Sequence, residues 1–202
     1  MPADPEPVAE KRRPPLLVDS AATVTALTTL ASCLEKAKEG IDSAVAANAA
    51  VVQDSAGDLK PAYAAFCSAV DALDADRNAL SSATGALRGE ASALLARWKD
   101  AIEALDDVEL REIGQERSAS AEACVESLLQ DEGNAPEAMR ALLAVLTDHR
   151  LFLGIDLNSD AARSLADDDE KLGQLSAAAS SVFDRMLEAT QSCIDSLSPQ
   201  SE

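Results

Sequence analysis

Hydrophobic residues recur along this chain at alternating steps of three and four, a spacing that brings side chains to one face of an α-helix. The first such run predicts a helix over about 20–54, with Asp19 or Ser20 as its N-cap and a turn at Gly57 and Pro61 after it. The predicted inner face of this helix consists of Val24, Leu27, Ala31, Leu34, Lys38, Ile41, Val45, Asn48 and Val52.

Three further runs follow with similar spacing. The second predicts a helix over about 59–105, roughly 65–70 Å long at 1.5 Å per residue. The third covers about 107–151, with a break near 133–136 because Pro136 cannot keep a helix-interior hydrogen bond. The fourth covers about 159–197. The first half of the third run has the predicted inner face Leu110, Gly114, Arg117, Ala121, Cys124 and Leu128.

Composition and pattern together predict an all-α fold. Hydrophobic residues make up 47% of the chain but aromatic residues only 2%, so the apolar content is mostly Ala, Leu and Val, which favours helices over strands. Four amphipathic runs joined by short links predict an elongated antiparallel up-down bundle with coiled-coil-like heptad packing, in one domain over 19–198. The alternative is a three-helix core with a loosely attached first helix. Residues 1–18, rich in proline and charge, predict a disordered tail.

The charge of the chain limits the classes of partner. With 17 basic and 36 acidic residues, the formal net charge is −19. Because nucleic acids and anionic membranes are bound by Lys and Arg, we expect neither as a partner. The chain contains no run of about 18 apolar residues and no apolar signal-peptide core, so we expect a cytoplasmic protein.

Four cysteines, one on each predicted helix, raise the possibility of a metal site; they are Cys33, Cys67, Cys124 and Cys193. Folding the helices about their turns spreads the four over about 40 Å, whereas zinc needs four ligands about 2.3 Å from one point. Cys124 and Cys193 come within roughly 10 Å in height, still more than the Cα separation of under about 7 Å that a disulfide requires. We therefore expect reduced thiols packed as small core residues, no bound metal and no other cofactor.

The only histidine lies in "HRLFLGIDLNSDAARSL", which begins at His149. His149 falls on the inner face of the third run, level with Tyr63 and Phe66 of the second. We expect these three rings and Phe152 to fill one end of the bundle core. In this interpretation the histidine is a packed residue without a chemical role.

The same stretch contains the signals of a helix-to-helix turn. Gly154 is expected to end one helix, and Asn158 or Ser159 to cap the next. One histidine cannot supply the paired Glu-x-x-His motifs of a carboxylate-bridged metal site, and no glycine loop of the phosphate-binding type is present. The acidic run Ala166–Lys171 lacks the alternating ligands of a calcium loop. We therefore expect no catalytic residues and no enzyme activity.

"LFLGIDLNSDAARSL" (Leu151–Leu165) resembles the signature F-L-K-H-N-L-N-A-x-A-I-x-S-L of a bacterial family of uncharacterised helical proteins, domain of unknown function 2959. Three further stretches are similar to that family in the same order: "LLVDSA" (Leu16–Ala21), "GDLKPAY" (57–63) and "LLARWKDAIEALDDVELR" (Leu94–Arg111). The family's Lys-His-Asn is replaced here by Gly-Ile-Asp at 154–156. The resemblance implies a helical bundle and supplies no activity.

The function expected from these observations is that of a non-enzymatic helical interaction or scaffold protein. Its partner would be another protein or a second copy of the chain, and the sole tryptophan, Trp98, is the candidate anchor. The alternative is a membrane-associated or envelope-stress coiled-coil protein. Because the predicted helices of this chain lack the basic polar face of membrane-surface helices, we expect no membrane binding.

Overall fold

The computed structural model describes residues 19–53, 58–131 and 134–198, and within these the chain forms six α-helices, one 3₁₀ turn and no strand. The prediction of an all-α helical bundle is confirmed, and the predicted tail at 1–18 lies outside the described residues. The 3₁₀ turn, Ala166–Asp168, connects the last two helices. The helices are α1 (Ala21–Gln53), α2 (Lys60–Glu103), α3 (Val108–Asp131), α4 (Asn134–Ile155), α5 (Ser159–Ser164) and α6 (Asp169–Leu197).

Helix α1 is packed between α2 and α6. The Thr23 hydroxyl donates to the Glu90 carbonyl over 3.3 Å, and Lys36 pairs with Asp76 over 3.0 Å. Residue numbers therefore rise along α1 while they fall along α2, so the two helices run in opposite directions. On its other side, Ser20 donates to the Leu197 carbonyl at the end of α6 over 2.8 Å. The alternative of a loosely attached first helix is wrong, because α1 packs along both α2 and α6 and contributes to the core.

Helices α3 and α4 together fill the fourth position, one after the other along α2. The Arg150 guanidinium of α4 pairs with Asp71 of α2 over 2.6 Å, whereas Gly114 of α3 lies against Ile102 near the far end of α2. The predicted break near 133–136 corresponds to the boundary between these helices, although 132–133 lie outside the described residues. Pro136 lies in the first turn of α4, where its missing N–H costs no intrahelical hydrogen bond.

The inner face of α1 differs from the predicted one by one residue at alternate positions. Leu30, Ala37 and Ala44 are buried, whereas the predicted Ala31 and Lys38 are only partly buried. Many small residues give both faces a similar hydropathy, so the pattern alone could not select the face. The residues of α1 that the structure buries are Thr23, Leu27, Leu30, Leu34, Ala37, Ile41, Ala44, Asn48, Val51 and Val52.

The fourth predicted run, 159–197, is not one straight helix. It begins with α5, continues through the 3₁₀ turn Ala166–Asp168, and only then enters α6. The N-cap of α5 is Asn158, whose side-chain oxygen accepts from the backbone N–H groups of Asp160 and Ala161 over 2.9 and 2.8 Å. In one straight helix Asp168 would lie on a helix face, whereas here it lies in the 3₁₀ turn. The position of α6 along its neighbours also differs from that of a straight helix.

Candidate functional site

His149 of α4 lies inside one end of the bundle with only 3% of its surface exposed. Its Nδ1 atom is 2.9 Å from Oδ1 of Asn48, on α1. Its Nε2 atom is 3.1 Å from a carboxylate oxygen of Asp168, in the 3₁₀ turn. Three elements distant in the sequence thus meet at one imidazole, and we call these three residues the histidine network.

The hydrogen-bonding chemistry of the histidine network allows two arrangements. With Asn48 oxygen and Asp168 carboxylate both accepting, the ring must donate from both nitrogens and is an imidazolium. With the Asn48 amide rotated by half a turn, a neutral ring accepts from Asn48 and donates to Asp168. The Asn48 amide nitrogen has no hydrogen-bond partner among the described residues. In either arrangement both ring nitrogens are engaged, so neither is available to a substrate.

Beside the histidine network, a tyrosine of α2 is held against the last turns of α4. The Tyr63 hydroxyl donates to the Arg150 carbonyl over 2.9 Å. A Cβ atom added to Gly154 would lie 2.8 Å from this hydroxyl oxygen, closer than real contacts allow. Burial, followed by a hydrogen bond with Cys67, raises the pKa of Tyr63.

The role predicted for Gly154 is therefore wrong. Helix α4 continues through it to Ile155, and no glycine among the described residues has a positive φ. The absence of a side chain at Gly154 makes room for Tyr63 and does not end the helix. A glycine that ends a helix and a glycine that makes room for a neighbouring side chain cannot be told apart in a sequence, because either can follow the last buried residue of the helix.

The predicted filling of this end by four rings holds for three of them. Phe66 is fully buried, and Tyr63 and His149 lie beside the core. Phe152 is 44% exposed, so its predicted place in the core is wrong. Leu153 occupies the inner face instead, because it lies seven residues, or about two turns, after the buried Leu146.

At the opposite end of the bundle, α2 and α3 form a hairpin that extends beyond the described parts of α1 and α6. The first residue of α1, Ala21, lies near the level of Glu90 and Arg97 on α2, as the contacts of Thr23 and Asp19 show. The last turn of α6 lies beside Ser20 at the same level. Helix α2 continues to Glu103, and α3 returns from Val108, so the hairpin tip has two helices where the bundle has four.

The apolar face of the bundle continues onto this hairpin. On α2, Trp98 and Ala101 remain at the spacing of the buried Leu87 and Leu94 and are half-buried, as is Leu105 just after the helix. Trp98, the predicted anchor, packs against the core at the base of the hairpin.

On α3, Leu110 and Ile113 are 53% and 50% exposed. They lie on the side of the helix that carries Cys124 and Leu128 further along, where α6 is in contact. We define the hairpin surface as Trp98, Ala101, Leu105, Leu110 and Ile113. No described residue of α1 or α6 reaches its outer part.

A disulfide joins α3 to α6 at the base of the hairpin. Cys124 and Cys193 are bonded, with Cα atoms 5.8 Å apart, so the prediction that these two thiols are reduced is wrong. Counting along straight helices overestimated their separation because α5 and the 3₁₀ turn displace the register of α6. Cys33 and Cys67 are free and half-buried.

Within the described ranges, no group of three or more His, Cys, Asp or Glu side chains is arranged to hold a metal ion. Over the same residues, no helix combines the length and the hydrophobicity that crossing a membrane requires.

A family model described as a protein of unknown function (DUF2959) matches residues 18–197. The chain belongs to the DUF2959 family. No curated protein and no solved structure was found to match it. The matched range of this DUF2959 protein includes the histidine network and the hairpin surface, and the family description assigns no activity to either.

Sequence reasoning missed both features for identifiable reasons. The predicted fourth helix includes Asp168, because a 3₁₀ turn has no clear hydrophobic signature, and the sequence therefore gives no sign of its pairing with His149. The exposed face of the hairpin could have been found from the lengths of the predicted helices. When the helices are placed side by side, residues 98–117 extend beyond the ends of the first and fourth.

Proposed function

We propose that this protein is a non-enzymatic helical interaction or scaffold protein whose partner binds the hairpin surface. The observation that carries the proposal is the continuation of the inner face of α2 and α3 beyond Ala21 and Leu197, where Leu110 and Ile113 remain about half exposed. An inner face that remains apolar without a neighbouring helix is typical of a binding site for another helix.

The energetics support this interpretation. Fully burying a Leu or Ile side chain contributes about 1.5–3 kcal/mol, and Leu110 and Ile113 each leave about half of this unused. Trp98 already packs against the core and Leu105 is half-buried, so these side chains would lose little further conformational entropy when a partner covers them. The histidine network offers no comparable surface, because its imidazole is buried and fully engaged.

The test is site-specific photo-crosslinking in the native host. A benzophenone amino acid at Leu110 is expected to give a discrete adduct that disappears when Ile113→Asp is added to the same chain. The matched control is the same probe at Leu151, 60% exposed on α4 at the other end of the bundle, combined with Ile155→Asp. If the hairpin and the control position give the same products, or none, the proposal is wrong.

The second candidate, a membrane-associated or envelope-stress protein, is favoured by one observation. The Cys124–Cys193 disulfide is typical of proteins in oxidising compartments, since the cytosol keeps thiols reduced. A cytoplasmic location remains the expectation from the sequence, and this disulfide counts against it.

Alkylation of acid-quenched host cells distinguishes the two locations. Two blocked and two reactive thiols per chain would place the protein in an oxidising compartment, whereas four reactive thiols would place it in the cytoplasm. Flotation with anionic liposomes at low salt tests membrane association separately, and a net charge of −19 predicts no binding.

A further inference from the structure

We infer that the partner of the hairpin surface is a second copy of this chain, so that two hairpins form a four-helix bundle about a twofold axis near Ile113. The inference rests on the proposed function, because it names the occupant of the same surface. Each hairpin supplies two helices with an uncovered inner face, and the bundle from which it extends consists of four. A second copy supplies the missing pair with an identical apolar face, as a twofold interface requires.

The distribution of charge sets the direction of packing. The tip of the hairpin, 103–112, carries five acidic residues and one basic residue, Arg111. Its base carries three basic residues, Arg97, Lys99 and Arg117, against two acidic ones, Asp100 and Glu116. Two hairpins packed tip to tip would place like charges together, whereas tip-to-base packing brings the acidic tip to the more basic base. Antiparallel packing is therefore the favoured arrangement.

This packing places particular residues opposite each other. With the twofold axis at Ile113, the two Ile113 side chains meet, and residues whose numbers add up to about 226 face one another across α3. Arg117 then lies beside the partner's Glu109, and both side chains are exposed in the single chain. Leu110 packs against the aliphatic part of the partner's Arg117, which covers apolar surface while its guanidinium stays at the edge.

The size of the surface predicts a weak association. Two helices about 10 Å wide, in contact over about 20 Å of their length, bury roughly 500 Å² per partner. That total of about 1,000 Å² lies at the lower end of specific interfaces, which corresponds to dissociation constants in the micromolar range.

Sedimentation velocity of the full chain over about 5–500 µM tests the inference. The wild-type protein is expected to change from monomer to dimer in this range. Ile113→Asp is expected to weaken dimerisation at least tenfold, since it places two carboxylates at the twofold axis. Ile155→Asp is the matched control, because it makes the same change at an 86% exposed isoleucine at the other end. It should leave the dimer unchanged, and circular dichroism verifies that both variants fold.

A charge exchange tests the antiparallel arrangement. Arg117→Glu and Glu109→Arg should each weaken dimerisation several-fold, because each places like charges opposite one another. The chain that carries both substitutions should recover most of the affinity. If the double variant is weaker than either single variant, the hairpins do not pack tip to base and the inference is wrong.

The possible failures can be told apart with the photo-probe at Leu110. An adduct of twice the chain mass supports the second copy, and its peptides should come from α3 of both chains. An adduct of another mass, or a link within one chain to residues 1–18, overturns the second copy. An adduct of another mass retains the proposed function, with a different protein as the partner. A wild-type chain that stays monomeric at 500 µM and gives no adduct overturns both.

Discussion

The two ends of the bundle differ in how completely their side chains are covered. At the end of His149, four helical elements and the 3₁₀ turn meet, and the polar side chains have partners: the imidazole contacts Asn48 and Asp168, and the Tyr63 hydroxyl donates to the Arg150 carbonyl. Among the described residues, the hairpin end consists of α2 and α3 alone, and the same kind of apolar face is left half exposed at Leu110 and Ile113.

This difference separates residues that maintain the fold from residues available to a partner. The resemblance to the family is clearest at the "LFLGIDLNSDAARSL" end, yet that end is closed and its one histidine has no free nitrogen. The hairpin end has no histidine or cysteine between residues 97 and 118, but it presents an apolar surface beside charged residues of both signs. In this bundle, incomplete coverage of an apolar face is therefore a better guide to function than the rarest residue types.

The largest expected effect contrasts the two ends by removing an apolar side chain from each. Phe66→Ala should lower the free energy of unfolding by about 3–5 kcal/mol, because it leaves a cavity in a fully packed end. Ile113→Ala should lower it by only about 1 kcal/mol, since half of that side chain is already in water. Urea unfolding followed by circular dichroism, at a protein concentration too low for association, provides the measurement. Comparable losses at the two positions would show that the hairpin end is as tightly packed as the other.

Much of the fold was predictable from the sequence, and the remainder was not for physical reasons. The periodicity placed Leu27, Leu34 and Ile41 on the inner face of α1, because large aliphatic residues at that spacing share one helix face and are buried together. It missed Leu30, since Ala31 beside it fits an apolar face equally well.

Features that depend on the register between helices were less accessible. The Cys124–Cys193 bond and the His149–Asp168 pair both depend on the bend through α5 and the 3₁₀ turn. That bend shifts α6 along the bundle without changing the hydrophobic period of either segment. Local capping by Asn158, in contrast, requires only residues within four positions of one another.

A smaller effect tests whether the histidine network is a closed unit. Asn48→Leu should cost about 2 kcal/mol, because it leaves Nδ1 of the buried His149 without a partner. His149→Leu should cost a similar amount by leaving the buried Asn48 amide unpaired. The double variant should cost less than either single one, since no unpaired buried group remains and Asp168 is partly exposed to water.

The control for the Asn48 and His149 variants is Asn48→Leu combined with Ile113→Ala. These two sites lie at opposite ends, so their effects on the free energy of unfolding should add. Urea unfolding at pH 7 measures all the variants. If the Asn48 and His149 substitutions also add, the two residues do not stabilise each other and the network is not a unit.

The smallest effect concerns the hydroxyl that links α2 to α4. Tyr63→Phe should cost about 1 kcal/mol at pH 7 through loss of the hydrogen bond to the Arg150 carbonyl. Burial raises the pKa of Tyr63 in the folded protein, so its neutral form is favoured there. Its contribution to stability is therefore complete below the ordinary tyrosine value of about 10 and decreases as the pH rises above it.

The alkaline loss of stability has a second source, which the Tyr63→Phe variant leaves in place. A hydrogen bond to Asp76 raises the pKa of Lys36, so deprotonation of this lysine also weakens the fold at high pH. Urea unfolding from pH 8 to 11 should therefore show a shallower decline in Tyr63→Phe than in the wild-type chain. The decline should not vanish, and it should be unaffected by Ile113→Ala. An identical decline in wild type and Tyr63→Phe would mean that the hydroxyl is as free in the folded chain as in the unfolded one. The closure of this end would then depend on its apolar side chains and the histidine network alone.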